Sequence, residues 1–163
     1  MKKRILVGAD PIGRPLKEEV VMYLEEKGYE VIDVGSTKET DVDYWRVGNE
    51  VGKRMATHEF ETAIIFCGTG MGVNIVANKY PGVYCGLCES VMTARLCRTI
   101  NNCNVLSMGA LVVTPFKAKE MVKVFLETPF TENFNLCEPS FLEEALGQIG
   151  EIEKLLYRDC STL

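Results

Sequence analysis

The chain has 163 residues, 47% of them hydrophobic and 25% charged, a length and balance that suit one globular domain over 1–163 with a proper core. A net charge of −5 supplies no basic footprint for nucleic acid. No apolar run approaches the ~20 residues of a membrane span.

The start, Met1 to Gly8, has an apolar stretch too short for a secretory leader and runs straight into Asp10, so a cytoplasmic protein is expected. Seven cysteines, an odd number, argue with this against a disulfide framework. Arg4 to Gly8 predicts a strand, and Asp10-Pro11-Ile12-Gly13 a turn. Pro15 suits the first turn of a helix whose apolar face is Leu16, Val20, Tyr23 and Leu24, closed by Gly28. Glu30 to Val34 predicts strand two, Gly35 to Asp41 a polar loop, and Asp43 to Thr57 a helix with Val47, Val51 and Met55 inward. Thr62 to Phe66 predicts strand three, ending at Cys67, and Met71 to Asn78 a short helix broken by Lys79-Tyr80-Pro81-Gly82. Val83 to Cys88 predicts strand four, Ser90 the cap of a helix through Arg98, Asn101 to Asn104 a polar loop, and Val105 to Met108 strand five. Thr114-Pro115 opens a helix to Leu126, and Thr128 to Cys137 reads as irregular. Ser140-Phe141-Leu142-Glu143 fits a capping box before a long helix, 138–158, with the stripe Phe141, Ala145, Ile149, Ile152 and Leu156.

Strands alternating with helices imply an α/β fold, a five-stranded parallel sheet with helices on both faces and an extended C-terminal helix. Ligands of such sheets sit at the carboxyl ends of the strands. Asp10, Cys67, Glu89 and the asparagines around Asn101 are expected to gather at that edge.

The stretch Ile64-Ile65-Phe66-Cys67-Gly68-Thr69-Gly70-Met71-Gly72 carries the chemistry. A thiol ends a buried strand, glycines allow a sharp turn and a close approach to the backbone, and a helix begins at about Met71. Those are conditions in which a cysteine acts as a thiolate. Three chemistries compete with the bland reading of a small buried hydrophobe. A dinucleotide site would use Glu89, 21 residues after Gly68, but the spacing is Gly-x-Gly-x-Gly and follows the third strand. A cysteine hydrolase needs a histidine base, and the lone His58 lies among charged residues. Proton transfer next to a carbonyl needs only a thiolate and backbone N–H groups, with no cofactor and no metal. Cys85-Gly86-Leu87-Cys88 reads as a buried structural pair, since residues three apart on a strand point to opposite faces.

In chain order the sequence runs Gly8-Ala9-Asp10-Pro11-Ile12-Gly13, Val31-Ile32-Asp33-Val34-Gly35, Asp43-Tyr44, Cys67-Gly68-Thr69-Gly70-Met71-Gly72, Ala77-Asn78-Lys79-Tyr80-Pro81-Gly82, Ala94-Arg95, Asn101-Asn102 and Val105-Leu106-Ser107-Met108-Gly109. These segments resemble the type B ribose-5-phosphate isomerases and the related galactose-6-phosphate isomerase subunits, over residues 4 to 126. The resemblance implies a three-layer α/β/α Rossmann-like fold and a homodimer, or a dimer of dimers, with sites at the subunit interface and the 138–158 helix packed on the partner. It implies aldose–ketose isomerisation of a sugar or sugar phosphate through an enediolate, first candidate ribose 5-phosphate. By position, Cys67 is the base and Thr69 supports it. Gly68, Gly70, Met71 and Gly72 belong to an amide cradle for the enediolate. Asp10 and Asn101 are substrate ligands, and Tyr44 is a wall of the pocket.

The chain departs from that pattern where the family binds phosphate and opens sugar rings. Pro11 and Leu111 stand where a histidine and an arginine are usual, Ile100 stands where the ring-opening histidine is usual, and Thr131 to Leu136 lacks the family's Gly-Gly-Arg-His. Arg14, Lys17, Arg95 and Arg98 are the substitutes considered for the anion. The departures leave an open-chain tetrose 4-phosphate, galactose 6-phosphate or an unphosphorylated sugar as alternatives. An inactive partner subunit and a nucleotide-binding module remain the readings of other classes.

Overall fold

The computed structural model describes residues 3–157. The chain start through Lys2, residue 158 of the expected C-terminal helix and Cys160 lie outside them.

The elements run β1 (Arg4–Ala9), α1 (Arg14–Glu26), β2 (Glu30–Asp33), α2 (Tyr44–Ala56), β3 (Ala63–Cys67), α3 (Met71–Ala77), β4 (Cys85–Leu87), α4 (Val91–Asn101), β5 (Val105–Gly109), α5 (Pro115–Glu127) and α6 (Pro139–Tyr157). All strand pairings are parallel, in the order β2-β1-β3-β5-β4. This is the α/β fold the sequence predicts. Near-continuous apolar runs such as Ala63-Ile64-Ile65-Phe66 are what a sheet covered on both faces requires.

Alternation along the strands divides the core into two layers. Ile5, Val7, Ile64, Phe66, Leu106 and Met108 pack with α1, α4 and α5. Leu6, Ile65 and Cys67 face α2 and α3, where Val47, Val51, Met55, Val73 and Ala77 meet them. Burying each large aliphatic or aromatic side chain contributes about 1.5–3 kcal/mol. Cys67 therefore leaves the sheet on the α2/α3 side, at the carboxyl edge.

Some boundaries differ from expectation. β4 is shorter than Val83 to Cys88 because Asn104 replaces the ladder there: its Oδ1 accepts from Tyr84 N–H at 2.9 Å and its Nδ2 donates to the Gly82 carbonyl at 2.7 Å. α4 runs past Arg98 to Asn101 and ends on Asn102, which takes a left-handed φ of 49°. α6 begins at Pro139, so Ser140 lies inside the helix rather than capping it. The capping box at Ser90 is present, with Thr93 as its second member.

Within α6 only Leu142 is buried. Glu153 accepts from Gly82 N–H at 2.8 Å and Tyr157 Oη–H donates to the Lys79 carbonyl at 2.8 Å, tying the far end of the helix to the turn before β4. Phe141, Ile149, Ile152 and Leu155 remain exposed.

Candidate active site

β3 delivers Cys67 to the carboxyl edge, where it is 5% exposed. Its Sγ accepts a hydrogen bond from Gly70 N–H at 3.1 Å. That contact requires the backbone to curl back, and Gly70 supplies the curl with φ +78°. A Cβ on Gly70 would lie 2.6 Å from Leu87 Cδ1 and 2.8 Å from the Met108 carbonyl carbon. Met71 N–H donates to Thr69 Oγ1 at 3.3 Å, closing the turn before α3.

β5 holds this loop in place. Ser107 Oγ–H donates to the Gly70 carbonyl at 2.6 Å. Ala110 N–H donates to the Cys67 carbonyl at 3.0 Å, and Leu111 N–H to the Gly68 carbonyl at 2.9 Å. Gly109 lies so close to Thr69 that a Cβ would stand 2.5 Å from its carbonyl carbon. Ser107 and Gly109 are site-building residues that the sequence reading missed. The available signal was a serine inside an otherwise apolar strand.

The turn after β1 lies on the other side of Cys67. Asp10, 8% exposed, accepts from Gly13 N–H through Oδ1 at 2.7 Å. A Cβ on Gly13 would stand 2.9 Å from Cys67 N. Tyr44, first residue of α2, lies over Gly72, with its Cδ2 2.7 Å from where a Cβ would be, and meets Trp45 edge to face at 5.2 Å. One chain thus brings together Asp10, Tyr44, Cys67, Gly68, Thr69, Gly70, Met71 and Gly72.

Asn101 does not join them. α4 starts at the carboxyl edge and runs back across the sheet, so its last residue ends at the amino edge. There Asn104 accepts from Ala63 N–H, at the first residue of β3, at 3.1 Å. The expectation that Asp10, Cys67 and Asn101 share one edge of one chain is therefore corrected by the direction of α4, which leads into the parallel strand β5. Glu89 follows β4 at the carboxyl edge and is exposed.

The substitute cations are corrected in the same way. Lys17 is 2% exposed and donates to Asp33 Oδ2 at 2.5 Å and to the Ser36 carbonyl at 2.6 Å, so its charge is spent on the loop after β2. Arg98 donates to the Cys103 carbonyl and lies over the Phe125 ring at 5.5 Å, near the amino edge. Arg95 is exposed on α4. Arg14 alone of the four begins a helix beside Asp10. Its Nη1 donates to the Thr37 carbonyl at 2.9 Å, while its buried Nε makes no hydrogen bond.

His58, exposed at φ 57°, lies between α2 and β3 at the amino edge. Cys85 and Cys88 fall into different core layers, as their spacing predicts. Cys88 and Cys103 instead flank Cys97, whose thiol donates to the Ala94 carbonyl at 3.3 Å. Cys67, Cys85, Cys88, Cys97, Cys103 and Cys137 are free. Among the described residues no three His, Cys, Asp or Glu side chains form a set that could hold a metal ion. No described helix is long and apolar enough to cross a membrane.

The profile of a family described as Ribose/Galactose Isomerase matches residues 5–136. The chain belongs to that family. A relative from Clostridium sp. (strain MSTE9), named 4-deoxy-4-sulfo-D-erythrose isomerase, is 42% identical over 156 residues, covering 95% of this chain and 98% of its own. Ribose-5-phosphate isomerase B of Escherichia coli (strain K12) is 39% identical over 124 residues, covering 76% of this chain and 83% of its own. The solved structure of Clostridium thermocellum ribose-5-phosphate isomerase B matches with a TM-score of 0.84 and 35% identity, covering 94% of this chain and 99% of that one. The chain is an aldose–ketose isomerase with the Rossmann-like fold of these ribose/galactose isomerases.

Proposed function

We propose that this isomerase acts on an open-chain four-carbon aldose with a terminal anion, 4-deoxy-4-sulfo-D-erythrose before erythrose 4-phosphate, with Cys67 as the base. The carrying observation is that no histidine stands at the site. Pentose and hexose phosphates rest mainly as closed rings, and opening one requires a group that moves a proton on and off the ring oxygen. Ile100 cannot do this, and the one histidine of the chain, His58, is at the far edge of the sheet. A tetrose whose C4 carries a sulfonate or phosphate has no C4 hydroxyl to close a furanose. The name of the Clostridium sp. (strain MSTE9) relative, similar over 95% of this chain, supports the same choice.

In this reading the Cys67 thiolate takes the proton from C2, and the electron pair moves through C1 onto the carbonyl oxygen. Backbone amides of Gly68 to Gly72 hold the resulting enediolate. The Cys67 thiol returns its proton to C1, and the O2 proton passes to O1, leaving the ketose. Thr69 fixes the turn, the free oxygen of Asp10 meets a substrate hydroxyl, and Tyr44 bounds the pocket. Arg14, whose Nε makes no hydrogen bond and pairs with Glu18 only at 3.9 Å, is the cation assigned to the terminal anion. Asn101 enters only from a second copy of the chain. A cytoplasmic homodimer is therefore part of the proposal, as is the action of 1–163 as one isomerase domain.

A second reading, ribose 5-phosphate, is favoured by the names of other relatives. The test is kcat/KM for 4-deoxy-4-sulfo-D-erythrose, erythrose 4-phosphate, ribose 5-phosphate and free pentoses. The proposal expects the anionic tetroses to lead by at least an order of magnitude. Ribose 5-phosphate turned over as efficiently as either tetrose would overturn it.

A further inference from the structure

We infer that Ile12 and Leu111 form an aliphatic gate over Gly68 that sets which substrate chain the cradle accepts, an inference that rests on the substrate reading above. Gly70 is glycine because its φ is +78°, and Gly72 because Tyr44 lies on it. Gly68 has neither reason. The three atoms nearest to a Cβ there are Ile12 Cγ2 at 3.4 Å, Leu111 Cδ1 at 3.5 Å and Ile12 Cδ1 at 3.8 Å, all at ordinary van der Waals contact. The ends of two aliphatic side chains thus wall Gly68 at ordinary contact distance, with no backbone pressed against it.

Both walls are held in register with Cys67. Leu111 N–H donates to the Gly68 carbonyl at 2.9 Å, and Ile12 rides on the turn fixed by the Gly13 N–H to Asp10 bond at 2.7 Å. Yet Ile12 is 56% and Leu111 74% exposed, an unusual pair of aliphatic groups to set beside a cradle for a polar intermediate. A substrate with its reacting carbons on Cys67 that extends past Gly68 passes between them.

Neither side chain can donate or accept a hydrogen bond. A hydroxyl placed between them gives up water without replacement, whereas a methylene gains by burial. The gate therefore selects an aldose whose fourth carbon is a bare methylene. C4 of a 4-deoxy-4-sulfo tetrose is such a carbon. Ribose 5-phosphate brings one more hydroxyl-bearing carbon to the same place.

The competing explanation is that Ile12 and Leu111 belong only to a face covered by a second copy. Ile12→Ala, Leu111→Ala and Leu111→Gln separate the two, with kcat/KM measured for 4-deoxy-4-sulfo-D-erythrose, erythrose 4-phosphate and ribose 5-phosphate, and particle mass by light scattering. The expected result is a fall of about tenfold for the sulfonated tetrose in Leu111→Gln and a smaller fall in the alanine variants, with ribose 5-phosphate unchanged or improved and mass as in the wild type. Substrate ratios within twofold of wild type in all three variants, or ratios that change only together with particle mass, would overturn the gate. A wild-type protein that takes ribose 5-phosphate but neither tetrose would overturn the substrate reading and the gate with it.

Discussion

Ser107 has no chemistry to offer a sugar, yet its hydroxyl decides where the Cys67 sulfur finds its amide donor. It is fully buried in β5 and holds the Gly70 carbonyl, whose N–H faces Sγ. Ser107→Ala should cost about 1 kcal/mol, at the low end for a buried hydrogen bond, because Asn74 N–H also donates to that carbonyl at 3.3 Å. Such a loss lowers Tm by about 2–4 °C in a domain of this size. Steady-state kinetics should show kcat falling with KM little changed, and full kcat would remove Ser107 from the positioning role. Residues that act on the backbone in this way were the least legible in the sequence. Cys67 carries a side chain whose role can be argued from chemistry, and the expected roles of Asp10 and Tyr44 came with the family resemblance, whereas Ser107 and Gly109 matter through register across β3 and β5. Lys17 shows the converse. A basic residue near a helix start suggests an anion ligand, but only the three-dimensional path of the loop after β2 reveals that Asp33 and the Ser36 carbonyl already occupy it.

The loop between β3 and α3 works as a unit because one residue turns left-handed. Gly70→Ala should cost about 1–2 kcal/mol for the φ alone. The added methyl would also press on Leu87 and on the Met108 backbone. Thermal melting should show a loss of several degrees, and turnover should fall by roughly 10² as the amide moves from the sulfur. A Gly70→Ala protein with wild-type kcat would mean the cradle is not needed in this geometry. Element types and order were readable from apolar periodicity and from Gly and Pro punctuation. Two boundaries were not, and each has a tertiary cause. The Asn104 side chain takes over the backbone of residues 82–84, and α4 continues through Ile100 to Asn101 while packed along α5. Asn101 lies at the amino edge for a separate reason: it leads into β5, which runs parallel to its neighbours.

At the scale of the whole molecule, the single chain leaves Phe141, Ile149, Ile152 and Leu155 of α6 exposed, together with Ile12, Val112 and Phe116 at or near the site. An amphipathic helix usually packs on its own domain. Here Leu142 is the one buried residue among those described in α6. A homodimer would cover these groups and bring Asn101 of one copy towards Cys67 of the other. Light scattering at micromolar concentration should give twice the chain's 18.2 kDa. Ile152→Asp, at a position 57% exposed, should shift the protein towards monomer and lower kcat without unfolding it. A wild-type monomer with full activity would remove the second copy from the account. The apolar stripe was legible in the sequence, but a sequence does not say which surface a stripe meets.

The central claim is that Cys67 carries the proton between C1 and C2 of an open-chain aldose. Proton NMR of the reaction in heavy water, run on wild type and Cys67→Ala with 4-deoxy-4-sulfo-D-erythrose, tests it most directly. The account predicts deuterium at C1 of the ketose and at C2 of the recovered aldose for the wild type. For Cys67→Ala it predicts turnover lower by 10²–10⁴ or more with the circular dichroism spectrum unchanged. Wild-type turnover with no deuterium after many cycles, or a Cys67→Ala protein as fast as the wild type, would contradict it.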